Sequence, residues 1–117
     1  MKYNYEFVTL TTKPPHPQNF LAIRLPKSIA LVEVFLGSDV QEPVSGKFFL
    51  EAIDKVLSGQ EKYREVGGNV CILQISRDKT KVLDSLAADG VGNCCEIETP
   101  ELKELILLWL KEQASRR

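Results

Sequence analysis

The chain has 117 residues, 44% of them hydrophobic, with 15 basic and 16 acidic side chains and a formal net charge of −1. That length suffices for one hydrophobic core, so residues 1–117 read as a single globular domain, and the near-neutral charge excludes the global basic field of a nucleic-acid binder. No apolar run reaches the roughly 18 residues of a membrane span, and Met1–Glu6 lacks the apolar stretch of a signal peptide; the expectation is a cytoplasmic protein that engages neither nucleic acid nor membrane.

Taken in order, Tyr3–Thr11 alternates imperfectly and is rich in aromatic and β-branched residues, which predicts a strand. Thr12–Asn19 carries Pro14, Pro15 and Pro17 and cannot continue a sheet interior. It reads as a loop rather than a Pro-rich ligand for an SH3-type groove, because it is short and isolated. Phe20–Leu25 predicts a short strand stopped by Pro26. Ile29–Leu36 predicts another, ended by Gly37, with Glu33 at an edge or solvent-side position. Residues 37–46 are polar and read as a loop. From about Gly46 to Ser58, Phe48, Phe49, Ala52, Ile53, Val56 and Leu57 recur with helical spacing and form one apolar face. Ser45 is the expected N-cap of this helix and Gly59 its left-handed C-cap.

Gln60–Val66 is charged and ambiguous. Asn69–Ser76 follows the Gly67-Gly68 breaker and is rich in apolar and β-branched residues. It predicts a central strand buried on both faces, around which the rest is arranged. Lys81–Leu86 is its expected hairpin partner and Cys94–Glu98 a third strand. Thr99-Pro100-Glu101 opens a last helix, over about 100–114, with Thr as N-cap, Pro in the first turn and Glu suited to the macrodipole. Leu102, Leu105, Ile106, Trp109 and Leu110 form its buried stripe, and Lys111, Arg116 and Arg117 suit its negative end. The fold class that results is α+β, an antiparallel sheet of about five strands with two main helices packed on it.

The sequence offers little for catalysis. Gly46-Lys47-Phe48 fails as a phosphate loop, which needs Gly at position 41 and Ser or Thr at 48. Gly90-Val91-Gly92-Asn93 fails as a dinucleotide fingerprint, because it leads into a strand and not a helix N-terminus. The one histidine, His16, is flanked by prolines, which argues against acid–base or triad chemistry. Cys71, Cys94 and Cys95 lie within apolar strand patterns and read as buried, reduced thiols, since a zinc site wants about four ligands in paired spacings. No enzyme, cofactor or metal is expected.

Charge is distributed unevenly. Residues 28–46 hold Glu33, Asp39 and Glu42 and no Lys or Arg; residues 82–102 hold Asp84, Asp89, Glu96, Glu98 and Glu101 and again no base. If the two segments adjoin, one surface is acidic and attracts a basic partner.

From Phe48 onward the order is amphipathic helix, Leu57-Ser58-Gly59, charged connector, Gly68-Asn69 opening a strand, tight hairpin, acidic loop, third strand and closing helix ending Leu105-Ile106-Leu107-Leu108-Trp109-Leu110. This resembles the small YacL-like α+β proteins and the immunity proteins that accompany toxins of contact-dependent growth inhibition and related polymorphic systems in bacteria. The likeness covers roughly the last 70 residues and is architectural. It implies a cytoplasmic protein that binds the C-terminal domain of one cognate toxin, a nuclease or similar enzyme, in a 1:1 complex and blocks its active site or substrate entry. The acids expected to face a basic toxin cleft are Asp39, Glu42, Asp84, Asp89, Glu96 and Glu98. The rival reading is a small acidic secretion chaperone or adaptor, a homodimer that holds an extended segment along a sheet edge or groove.

Overall fold

The computed structural model describes residues 1–85 and 94–116, and the fold is α+β. Strands β1 (Glu6–Thr11) and β2 (Asn19–Arg24) form a two-stranded antiparallel hairpin. β3 (Tyr63–Gly67), β4 (Cys71–Ser76), β5 (Lys79–Asp84) and β6 (Cys94–Glu98) form a four-stranded antiparallel meander in chain order. Among the described residues, the helices are α1 (Ala30–Asp39), α2 (Pro43–Leu57) and α3 (Thr99–Ser115), with a single 3-10 turn at Lys27–Ile29 leading into α1. The strands thus divide between two sheets, where one sheet of about five was expected.

Register separates the two faces of the large sheet. Val66, Leu73, Val82 and Cys95 lie side by side in one row, and Ile75, Thr80 and Ile97 in the next. This face is buried, Cys95 only partly, and forms the core with Leu31, Val32, Phe35 and Leu36 of α1, Phe49, Ile53 and Val56 of α2, and Leu102, Leu105, Ile106 and Trp109 of α3. The opposite face carries Tyr63, Ser76, Lys79 and Glu98 in one row and Glu65, Gln74, Lys81 and Glu96 in the next. β4 is therefore an inner strand as expected, but its burial alternates: Cys71, Leu73 and Ile75 are buried whereas Ile72 and Gln74 are only half-covered. Period-2 alternation is the signature of a sheet covered on one side.

Ile29–Leu36 is not a strand. It forms most of α1, and its buried residues Leu31, Val32, Phe35, Leu36 and Asp39 follow i, i+1, i+4, i+5, i+8. The β-branched Ile29, Val32 and Val34 suggest a strand, but packing against the sheet outweighs that weak propensity. Gly37 does not stop the helix; it lies within it, on the exposed side. Glu33 is turned inward to accept the N–H of Leu25 at 2.7 Å, which ties α1 to the end of β2.

Helix α2 begins three residues earlier than expected. Glu42 is its N-cap and Ser45 stands at the third helical position, in a reciprocal capping box. Gly59 has φ +86°, the left-handed conformation expected beyond the helix. The ambiguous Gln60–Val66 segment supplies β3, whose Arg64 pairs with Glu61 at 2.8 Å. α3 runs as expected, but Thr99 is its first residue and not its cap. The Thr99 hydroxyl instead lies 2.8 Å from that of Thr80 inside the protein.

The hairpin is fastened to this core by Ile23, by Phe7 against the Trp109 ring (centroids 6.4 Å apart), and by Arg116, which donates to the Thr9 hydroxyl at 2.8 Å.

Candidate functional site

Segments 28–46 and 82–102 do adjoin, because α1 packs on β5 and β6. They meet through apolar side chains, and their acids go to different places. Of the six acids expected to face a partner, Asp39, Glu42 and Asp84 gather at one end of the large sheet, around the turn from Gly67 to Cys71. Glu96 and Glu98 lie on the outer face of β6. Asp89 lies outside the described residues.

Asp39 ends α1 and is only 6% exposed. Its Oδ1 accepts the N–H groups of Asn69 and Val70, both at 2.9 Å, and its Oδ2 accepts that of Cys71 at 2.8 Å. A charged carboxylate is tolerated there because three amide donors replace its water. The turn itself is closed by the Gly68 N–H to the Cys71 carbonyl at 2.8 Å. A side chain at position 68 would collide: a Cβ would stand 2.5 Å from Asp39 Cγ, so only glycine lets the carboxylate approach. Just beyond Asp39, the Val40 carbonyl accepts the Trp109 indole N–H at 2.7 Å and the Gln113 side-chain amide at 3.1 Å.

Asp84 is half-buried and pairs in register with Cys71 on the inner face. Burial, together with the carboxylates of Asp39 and Asp84, pushes the Cys71 thiol up to about 12, so it stays protonated and unreactive. Cys95 is half-buried and its thiol is pushed up mainly by burial, whereas Cys94 is exposed, contrary to the expectation of three buried thiols.

Glu42 borders a cleft of about 400 Å³ between the first turns of α2 and the Gly67–Asn69 turn. Its apolar walls are Val44, Phe48 and Phe49, and Asp39 and Ser45 complete it with the glycine turn. Val44 and Phe48 are 77% and 49% exposed. Phe48 stands edge-on to Phe49 (centroids 5.1 Å apart), and Phe49 in turn to Phe35 (4.9 Å), so the exposed ring is braced by the core. The sequence places Phe48 on the buried face of its helix; it lies at the margin of that stripe and is left outside. The signal for Asp39 was present too, as one acid on the apolar stripe of a helix, but it is visible only once Ala30–Asp39 is read as helical.

Glu98 sits in the opposite kind of place. Lys2 Nζ and the Tyr3 hydroxyl donate to it, as does Lys79 Nζ at 3.2 Å. The hydrogen bond from Lys2, then that from Tyr3, holds its carboxyl well below the usual range, and the same bond raises the Tyr3 hydroxyl. Glu96 is exposed and lies opposite Lys81 across β5 and β6.

A protein of Bacillus cereus strain ATCC 14579 named "Immunity protein" is 48% identical to this chain over 113 residues, which cover 97% of the chain and 90% of that relative. The chain belongs to its family. The matched residues span nearly the whole of both chains. No family model and no solved structure matches the chain. Among the described residues, no helix is long and apolar enough to cross a membrane.

Proposed function

We propose that this member of the family is an immunity protein in action as well as descent: it binds the C-terminal domain of one cognate toxin in the cytoplasm and blocks that enzyme's active site or substrate entry. The observation that carries the reading is the 48% identity, over nearly the whole length of both chains, to a protein named for immunity. The toxin domain we infer is a nuclease, whose substrate-binding cleft is basic. Its counterpart here is drawn from the acids Glu42, Asp84, Asp89, Glu96 and Glu98, of which Glu98 is already paired with Lys2 and Lys79 and contributes least, with Asp39 contributing through the turn it holds. The complex is 1:1, the system is one of contact-dependent growth inhibition or a related polymorphic type, and the protein acts by occlusion and not by catalysis.

The test is capture of the tagged protein from its native cells at low and moderate salt, with the product of the adjacent upstream reading frame included as bait. The purified toxin domain is then assayed with and without the protein. Stoichiometric binding that abolishes the toxin's activity, and protection of cells that express it, are the expected results. A toxin that stays active when the protein is in excess contradicts the reading.

One observation favours the rival reading. Phe20, Leu21 and Ala22 of β2 and Val34 and Gly37 of α1 line an apolar groove, and the two-stranded hairpin leaves one edge of each strand unpaired among the described residues. A homodimeric chaperone or adaptor would use that groove and edge. Sedimentation showing a stable dimer, together with binding of an unfolded client, would move the assignment there.

A further inference from the structure

We propose that the cleft between α2 and the Gly67–Asn69 turn receives an arginine side chain of the partner, its stem on Val44 and Phe48 and its guanidinium at Glu42. This deepens the immunity reading and rests on it for the identity of the partner, but not for the chemistry of the cleft.

Two properties of the cleft select this occupant. Its walls are apolar and preformed: Val44 and Phe48 are exposed, yet the Phe48 ring is held by Phe49, which is itself buried. Apolar surface held rigid before binding is what an interface anchor needs, since little side-chain entropy remains to be lost. Its charge is of one sign. Among the described residues, the lining has two carboxylates, Asp39 and Glu42, and neither Lys nor Arg. A long apolar stem ending in a cation matches both properties at once.

Arginine fits better than lysine. A planar guanidinium can lie on an aromatic ring while its edge donates to a carboxylate, whereas an ammonium is a compact, strongly hydrated charge. Glu42 has oxygen to spare for this role. In the capping box its carboxylate accepts the N–H of Ser45, and a carboxylate has about four lone-pair sites. Asp39 does not need to move. It is fixed by three amides, and its charge reaches the cleft from behind the glycine turn.

The experiment needs no toxin. Isotope-labelled protein is titrated with N-acetyl-arginine methylamide, and in parallel with the norleucine derivative, which has an apolar chain and no cation. The expected result is saturable shifts of the Gly67, Gly68, Asn69 and Phe48 amide resonances with the arginine probe, in the millimolar range expected of one side chain. The norleucine probe should bind at least about fivefold more weakly, and so should the arginine probe to Glu42→Gln and to Phe48→Ala. Glutamine keeps the acceptor that caps α2, so a loss in Glu42→Gln reports charge and not unfolding. Absence of shifts at the turn, equal binding of the two probes, or equal binding to Glu42→Gln would each overturn the proposal while leaving the immunity reading intact. That reading fails instead if wild-type protein does not inhibit the toxin.

Discussion

The two ends of the four-stranded sheet each carry acids, and they use them in opposite ways. At one end Asp39 is buried against three backbone amides and Glu42 caps a helix, with no Lys or Arg among the described residues that line the cleft they share. At the other, Glu98 is surrounded by Lys2, Lys79 and Tyr3. The same residue type is thus a fastener for a turn, an available charge and a neutralised charge. Counting acids along the chain does not separate these roles; the partners do. A basic protein approaching the molecule meets uncompensated carboxylate at the cleft and compensated carboxylate at Glu98, and electrostatic steering follows the former.

The comparison can be broken most severely through Trp109, whose indole donates to the Val40 carbonyl beside Asp39 and whose ring is buried. Trp109→Ala should cost about 3–5 kcal/mol through the cavity it leaves, measured by urea denaturation. A loss below about 1 kcal/mol would show that α3 does not close this end of the core. Asp39→Ala comes next. It leaves the amides of Asn69, Val70 and Cys71 without their acceptor, and should cost about 3 kcal/mol. Hydrogen exchange at those amides should accelerate far more than at Lys79–Asp84. Uniform acceleration would mean that Asp39 stabilises the whole protein and not the turn.

The Glu98 end should respond to pH. Its folded-state pKa is lowered, chiefly by the hydrogen bond from Lys2. The stabilisation is therefore fully present above the unfolded carboxyl value of about 4.3 and is lost as pH falls below it. The difference in melting temperature between wild type and Glu98→Gln should be constant at neutral pH and shrink on acidification from about pH 5 to pH 3. A difference that does not change over that range would show that the Lys2–Glu98–Tyr3 cluster does not persist in solution.

Much of this architecture was legible in the sequence. The α+β class, α2, α3 and strands β4 to β6 follow from periodicity and breakers, although the N-caps expected at Ser45 and Thr99 lie inside their helices. Ile29–Leu36 did not, because a short apolar run rich in β-branched residues suits a strand or a buried helix equally. The deciding residue was Asp39, which continues the helical stripe beyond Gly37. β3 was hidden because Tyr63, Glu65 and Gly67 face outward and only Val66 is buried. The site was legible as a set of acids and not as a surface. That Asp39 is enclosed, that Glu98 is paired and that Phe48 is left outside are consequences of tertiary packing. Gly68 carried a signal, but only the approach of Asp39 explains why nothing larger fits.

The smallest change bears on the largest question. Glu42→Gln and Phe48→Ala alter one charge and one exposed ring, and both should leave the melting temperature within a few degrees of wild type. Their affinity for the purified toxin domain, measured by titration calorimetry beside the wild type, is the decisive quantity. Each variant should bind at least about tenfold more weakly, a loss of about 1.4 kcal/mol, with the Glu42→Gln difference shrinking as salt is raised. Affinity equal to wild type in both variants would place the partner elsewhere and contradict the assignment of the cleft as its docking end.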